Sequence, residues 1–466
     1  MGLGQSSDKN KNTPPMASHF STVELKKLED FFMFKEQVSS DQENTPRKWK
    51  YANVKQRILD SFCEEVANQI IYYMENRSMS GGDDGILLES FLEFVYHLTK
   101  DCIRELAGIV FNIVGKGDKI VKREVMKKFL TQFVSCLHLG TTVKTQLYAP
   151  DDSCGGKLAE KLVKHCPENM TEEDFDVVLH QTPLLIDVLE FKFRMLFFCY
   201  ISEPSKSFHG SVPHLIPIME IPDKSTTQCS FNLSLPTAIY INSRLHMQLQ
   251  HKWRLLYSSK LHGESFSKLT GAIVNKGPTL IVIKDTHGHI FGGFASESWQ
   301  FSSKFQGTDK SFLFTSHPSL EIYDCIGGSY NDHYMYLNIG QEMMPNGLGM
   351  GGQHDYFGLW LDQEFGNGHS RAKPQCTTFK SPQLSKDENF VIDAINIWGV
   401  GDEPKNDEDD EYNEEGITSV LDKHIEAKAL LEIAGRPRVS EGLRDIEPDA
   451  DIPETKELQH AHDPMS

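Results

Sequence analysis

From residue 20 to about residue 200 the apolar positions recur every three or four residues, the period of a helix with one buried face. Val23, Leu25, Leu28, Phe31 and Phe32 share one such face. Ile58, Phe62, Val66, Ile70 and Tyr73 share another, at close to i, i+4 spacing. The same pattern predicts helices over 87–100, 101–114, 119–139 and 183–201, with glycine pairs at 81–82 and 155–156 breaking the run. The period then changes. Residues 202–234 carry Pro204, Pro213, Pro217 and Pro222 with little periodicity and read as a linker. Ser234 is placed to cap a helix beginning at Leu235, with Pro236 at an early position that tolerates it. Beyond it come short strands at 253–258, 280–284, 290–295, 312–315, 334–338, 357–362 and 392–400, with one helix at 264–274. Asp285-Thr-His-Gly-His reads as a hairpin turn, and within 356–362 Phe357, Leu359 and Leu361 alternate with Tyr356, Gly358 and Trp360.

After residue 402 the composition shifts: residues 402–415 hold nine acidic residues and one lysine, a block that stays solvated. Residues 417–435 then return to helical spacing, with Ser419 and Asp422 as a capping pair, Gly435 as the stop and Pro437 beyond it. Val420, Leu421, Ile425 and Leu431 form the apolar face of that helix, which either docks on its own chain or enters a partner's groove. The organisation is therefore α+β and multidomain: a segment 1–19, a helical region 20–201, a linker 202–234, a β-rich region 235–402, an acidic linker 403–416, a terminal helix 417–435 and a tail 436–466.

Composition narrows the function. A formal net charge of −19 over 466 residues disfavours nucleic acid, whose affinity comes from neutralised phosphates. Nine cysteines without a C-x-x-C pair argue for reduced, packed thiols rather than a disulfide framework or zinc ribbon. The most apolar run, 184–201, contains Asp187, Glu190, Lys192 and Arg194 and reads as a core helix rather than a membrane span. The start, MGLGQS, fits the myristoylation pattern with Gly2 as acceptor. One such chain holds a protein to a membrane only marginally, so residence there needs a second contact.

Candidate chemistry is thin. Helix–loop–helix pairs of this size suggest EF-hands, but the loop VGKGDKIVKRE puts Ile113, Gly115 and Gly117 where oxygen ligands belong once Ile120 and Glu124 take positions eight and twelve. The other loop, with Asp83, Asp84 and Gly85, has no glutamate at position twelve in any register. The helical region is read as EF-hand-like without calcium, and no metal or cofactor is expected. Gly347, Gly349 and Gly352 satisfy G-x-G-x-x-G but lead into a strand, so close backbone approach in a sheet explains them better than a nucleotide. Ser265 and Lys268 match S-x-x-K inside a helix with no supporting motif, and His287 and His289 lack further metal ligands. A hydrolase would draw on His354, His369 and Cys376, the one region where nucleophile and base types gather. No signature joins them, and Cys376 alternates with Phe379 as a strand residue would.

The stretch 345–379, PNGLGMGGQHDYFGLWLDQEFGNGHSRAKPQCTTF, resembles the TLDc domain. WRLLYSSKLHGESFSKL, LIVIKDTHGHIFGGFAS, FLF and NDHYMYLN precede it in the same order, extending the resemblance over about 235–402. It implies two antiparallel sheets with attached helices, no established catalytic constellation, and links to oxidative stress and the vacuolar proton-pumping ATPase. The helical region, the Met-Gly start and the terminal extension resemble the lysosomal, mTOR-associated branch. That implies a non-enzymatic adaptor or regulator, cytoplasmic and peripheral on the lysosomal membrane, with the proton pump and mTOR or its complex as partners. A hydrolase and a calcium-responsive sensor are the alternatives.

Overall fold

In a computed structural model the described residues are 15–32, 49–77, 85–86, 88–139, 147–150, 154–198, 214–221, 231–325 and 331–404. Gly2, the acidic block beyond residue 404 and the expected helix 417–435 lie outside them.

The amino-terminal part is helical: α1 (Thr22–Phe32), α2 (Tyr51–Ser61), α3 (Glu64–Asn76), α4 (Leu88–Thr99), α5 (Ile103–Gly115), α6 (Arg123–Ser135), α7 (Cys154–Leu162), α8 (Glu172–Gln181) and α9 (Pro183–Phe198). The first eight form four helix–loop–helix units whose loops pair two by two. β1 (Trp49–Lys50) pairs with β2 (Gly85–Ile86), and β3 (Val121–Lys122) with β4 (Asn169–Met170), both antiparallel. The face from Ile58 to Tyr73 is buried throughout, yet it belongs to two helices. The chain turns extended at Cys63 (φ −66°, ψ 156°), which starts α3 afresh. Residues 154–181, where a glycine pair signalled a break, instead form α7 and α8. Gly155 and Gly156 sit in the first turn of α7, where the backbone N–H groups need no helical partner. A capping box between Thr171 and Asp174 opens α8. The buried loop position expected of Ile120 is taken by Val121, 3% exposed and paired with Met170, while Ile120 is 58% exposed. Lys116 and Gly117, both with positive φ (52° and 92°), end α5 in a tight left-handed turn that sets this register.

The β-rich part holds β5 (Ile218–Glu220), β6 (Lys252–Ser258), β7 (Thr279–Asp285), β8 (Ile290–Ala295), β9 (Ser302–Gln306), β10 (Phe312–His317), β11 (Glu321–Asp324), β12 (Met335–Asn338), β13 (Gly347–Gln353), β14 (Tyr356–Asp362), β15 (Asn367–His369) and β16 (Asn389–Val400). The first sheet runs β11-β10-β8-β7-β16-β6-β5 and the second β9-β12-β13-β14-β15-β16, so the twelve-residue β16 serves both. Pairing between these strands is antiparallel except for β5 on β6. That edge strand lies inside the span read as a linker, bracketed by Pro217 and Pro222, which an edge tolerates. Three helices attach: α10 (Leu235–Asn242), capped by Ser234; α11 (Ser259–His262); and α12 (Phe266–Ile273).

Strand β7 shows why the two parts cohere. A strand covered on both faces reads as a continuous apolar run, and Leu280 to Ile283 is fully buried. Ile281 and Ile283 face the cluster between the sheets, with Leu313, Met350, Leu359 and Ile395. Leu280 and Val282 belong instead to the cluster that continues through Ile239 of α10 to Phe193 and Phe31 in the helical region. Phe231 packs edge-on against Trp398 of β16 at 4.9 Å between ring centroids. Lys157 of α7 donates to the Ser316 carbonyl at 3.2 Å, and Lys161 pairs with Glu321 of β11. At about 1.5–3 kcal/mol for each large apolar side chain buried, this seam outweighs its few surface ion pairs.

Candidate functional site

The glycine-rich stretch is strand β13, with no helix opening on its last glycine, which removes the geometry a dinucleotide needs. Its glycines accommodate rings. A Cβ on Gly349 would sit 2.6 Å from Phe357 and 3.0 Å from Trp360, and one on Gly351 would sit 2.6 Å from Phe379 and 2.8 Å from the Cys376 sulfur. Gly351 and Gly352 both take positive φ (68° and 85°). Opposite them the simple alternation of β14 slips. Phe357 joins Trp360 on the outer face, while Leu359 and Leu361 face the core between the sheets.

The outer face is an aromatic and histidine stripe. Phe357 and Trp360 stack at 4.4 Å, Trp360 and His369 at 5.9 Å, and Phe305 and His333 at 3.8 Å with an interplanar angle of 6°. His354 packs between Phe305 and Tyr336, at 5.1 and 5.2 Å. Beside the stripe lies a half-open cleft of about 450 Å³, lined among others by Phe357, Trp360, Asp362, Asn367, His369 and Arg371. Arg371 is held by its backbone-directed bond to the Asp355 carbonyl (3.0 Å) and by Glu388 at 3.3 Å. Burial, with Arg371 nearby, pushes the His369 ring down to about 4, so at neutral pH it is uncharged. Its Nε2 has no hydrogen-bond partner among the described residues. Burial and His333 also lower His354.

His354, His369 and Cys376 do not converge. Both histidines lie on the outer stripe, whereas Cys376 is 3% exposed in the core between the sheets. Burial raises its thiol above the ordinary range, the opposite of an activated nucleophile. It sits in the turns between β15 and β16, where its N–H donates to the Ser381 carbonyl, not in a strand. Ser265 caps α12 by accepting from the Lys268 N–H at 3.3 Å, so the S-x-x-K match is a helix start. His287 faces Asp387 at 3.8 Å, and His289 is fixed through its N–H to the buried Asp285. No group of three metal-binding side chains occurs among the described residues. Within them, too, no helix is long and apolar enough to cross a membrane; α9 is a core helix with Lys192 buried.

What the fold does bring together are the separate sequence blocks. His333 bonds the Gly352 carbonyl at 2.7 Å, Asn331 donates to the same carbonyl at 3.0 Å and to Thr377 at 2.8 Å, and the Gly352 N–H donates to Thr378 at 2.9 Å. NDHYMYLN, the glycine strand and CTTF thus meet at one point. Sequence reasoning missed His333, Phe305 and Arg371 as members of this face. His333 and Arg371 lay in quoted blocks, but nothing in the pattern of positions signalled the ring stack or the cleft beside it.

This geometry has relatives. Residues 230–401 match the TLDc domain family, so the cleft and the stripe lie within a TLDc domain. The chain is 43% identical over 390 residues to MTOR-associated protein MEAK7 of Gallus gallus, covering 79% of this chain and 81% of the relative. It is 53% identical over 217 residues to MTOR-associated protein MEAK7 of Homo sapiens, about half of each chain (47% and 46%). Nuclear receptor coactivator 7 of Mus musculus is 34% identical over 157 residues, 33% of this chain and 16% of the relative. The chain belongs to the TLDc-domain family, in the group formed with MTOR-associated protein MEAK7. None of these relatives carries an enzyme's name.

Proposed function

We propose that the protein is a non-enzymatic adaptor or regulator at the cytosolic face of lysosomes, binding the vacuolar proton-pumping ATPase and supporting mTOR signalling. The observation that carries this is the 43% identity, across 79% of the chain, to a protein named for its association with mTOR. The scattered positions of His354, His369 and Cys376 favour binding over turnover. In this reading the four helix–loop–helix units are EF-hand-like and work without calcium. With Val121 in the buried loop position, the twelfth position falls on Val125, which offers no oxygen ligand, in place of Glu124. A myristoyl group on Gly2, the TLDc domain and the helix bearing Val420, Leu421, Ile425 and Leu431 then act as several weak contacts whose avidity exceeds each alone.

The experiment is a pull-down from lysosomal membranes, read by mass spectrometry for pump subunits, with three chains. They are the full chain, Gly2→Ala, and a chain ending at Pro404. The last keeps Asp402 paired with His251 and Lys252 (both 3.3 Å) and Glu403 with Lys276 (2.6 Å). The full chain is expected to recover the pump and both variants to recover less. Recovery of no pump subunits by the full chain would sink the proposal.

A further inference from the structure

Two thiols meet where the first pair of helix–loop–helix units abuts the second. Cys63 is the N-cap of α3 and makes no capping bond of its own, while Cys136 closes α6. The Cys63 N–H donates to the Cys136 sulfur at 3.0 Å. Bond lengths alone then hold the Cys63 Cα within roughly 4.5 Å of that sulfur. The Cys63 side chain is also among the groups that raise the Cys136 thiol. A disulfide needs Cα atoms about 4.4–6.8 Å apart and sulfurs free to approach; with the Cys136 sulfur this near the Cys63 backbone, the two Cα atoms lie within roughly 7 Å of each other.

Both cysteines are free. Cys136 is 3% exposed, while Cys63 is only half-buried and within reach of a small oxidant. The backbone around Cys136 is pinned, because the Lys192 ammonium of α9 donates to the Cys136 carbonyl at 2.6 Å and the Leu139 carbonyl at 2.8 Å. Other described cysteines lie elsewhere: Cys102 is exposed at the start of α5, and Cys325 contacts Tyr334.

We propose that Cys63 and Cys136 are an oxidative modification site, closing to a disulfide that ties the two halves of the helical region, with hydrogen peroxide or an alkyl hydroperoxide as oxidant. The Cys63 thiolate attacks a peroxide oxygen and the O–O bond breaks. This leaves a sulfenic acid on Cys63 and releases hydroxide or an alkoxide, which takes up the proton that the Cys63 thiol gave up and departs as water or an alcohol. The Cys136 sulfur then attacks the Cys63 sulfur; the S–O bond breaks, and hydroxide departs with the Cys136 proton as water. Two thiols are oxidised by two electrons and one peroxide is reduced. Burial raises the Cys136 thiol to about 11, which makes it the resolving partner rather than the first to react.

The test uses the full chain exposed to equimolar hydrogen peroxide, alkylated, digested without reductant and mapped by mass spectrometry. A cross-linked Cys63–Cys136 peptide pair is expected as the dominant product, absent from Cys63→Ser and Cys136→Ser and retained in Cys102→Ser. Serine is a good N-cap, so Cys63→Ser keeps α3. Oxidation of Cys63 to a sulfinic acid without the cross-link overturns the proposal, as does a dominant cross-link through any other cysteine. So does a wild-type chain whose two thiols remain fully alkylatable.

Discussion

The helical region and the second sheet bury comparable rings under different rules. In the helices Phe31, Phe62, Phe91, Phe133 and Phe197 meet one another in loose ring contacts, with centroids 5.4 to 6.2 Å apart for the pairs Phe62–Phe133, Phe31–Phe197, Phe91–Phe197 and Phe31–Phe91. Side chain lies against side chain, and a neighbour can shift a rotamer to absorb a change in shape. In the second sheet Phe357 and Trp360 lie directly on the backbone of β13, at glycines with no Cβ to give way. A core of the first kind asks only for apolar volume at helical spacing. A core of the second kind asks for glycine at particular positions opposite particular rings, and this is why 345–379 is so distinctive as a sequence.

Breaking the second rule costs most. Gly352 has φ +85°, and a side chain there would run into the Tyr356 carbonyl and lie 3.2 Å from the Phe357 Cα. Gly352→Val is expected to cost on the order of 4 kcal/mol, from backbone strain plus overpacking, against about 1.5 kcal/mol for Phe91→Leu in the helices. Urea unfolding of both variants checks this, and equal losses would erase the contrast.

The next effect is sharper in pH than at neutrality. The native His369 ring sits at about 4, below the 6.5 of an exposed imidazole, because burial penalises its charge. Between those values the unfolded chain binds the extra proton and the native chain does not. The associated stability is therefore complete above about pH 6.5 and lost as pH falls toward 4, by up to roughly 3 kcal/mol. His369→Phe should flatten this acid limb in denaturant melts run from pH 7 to 4. A limb unchanged by the substitution would mean other groups carry it.

The smallest effect tests the loop register in the helical region. Val121→Ala removes buried methyls and is expected to cost about 1.5 kcal/mol, while Ile120→Ala, at an exposed site, stays within about 0.5 kcal/mol. The reverse ranking would return Ile120 to the buried position and Glu124 to the twelfth.

The contrast also explains what could be read from the chain beforehand. Strands β6, β7, β8, β10, β12, β14 and β16 and the Ser234 cap were legible because period-two runs and capping chemistry are local, whereas the short β9, β11 and β15 were not read. Strand β13 was legible only as glycines, since its strand character comes from the rings of its neighbour. Helix α7 was hidden by Gly155 and Gly156, whose cost in a first turn is small. The break at Cys63 left no local mark, because an apolar face continues across it. The outer stripe was unreadable for the same reason as the slip at Phe357: which face a ring takes depends on Gly351 and Gly352 across the ladder. Of the candidate residues, His354 and His369 were found but not their neighbours, since contacts among β9, β12 and β14 carry no sequence spacing.

Different rules still produce one core here, through Leu280, Val282, Phe314 and Trp398, and that is the claim most worth measuring. The direct test is urea unfolding of the full chain followed at once by far-ultraviolet circular dichroism and tryptophan fluorescence. The dichroism is dominated by the helical region. Four of the five tryptophans, Trp253, Trp299, Trp360 and Trp398, lie in the TLDc domain and report on it, the fifth being Trp49 of β1. Coincident transitions with a single midpoint are predicted, as for one cooperative unit. Helical signal lost at a lower midpoint, with the tryptophans still buried, would show two independent bodies and contradict the shared core.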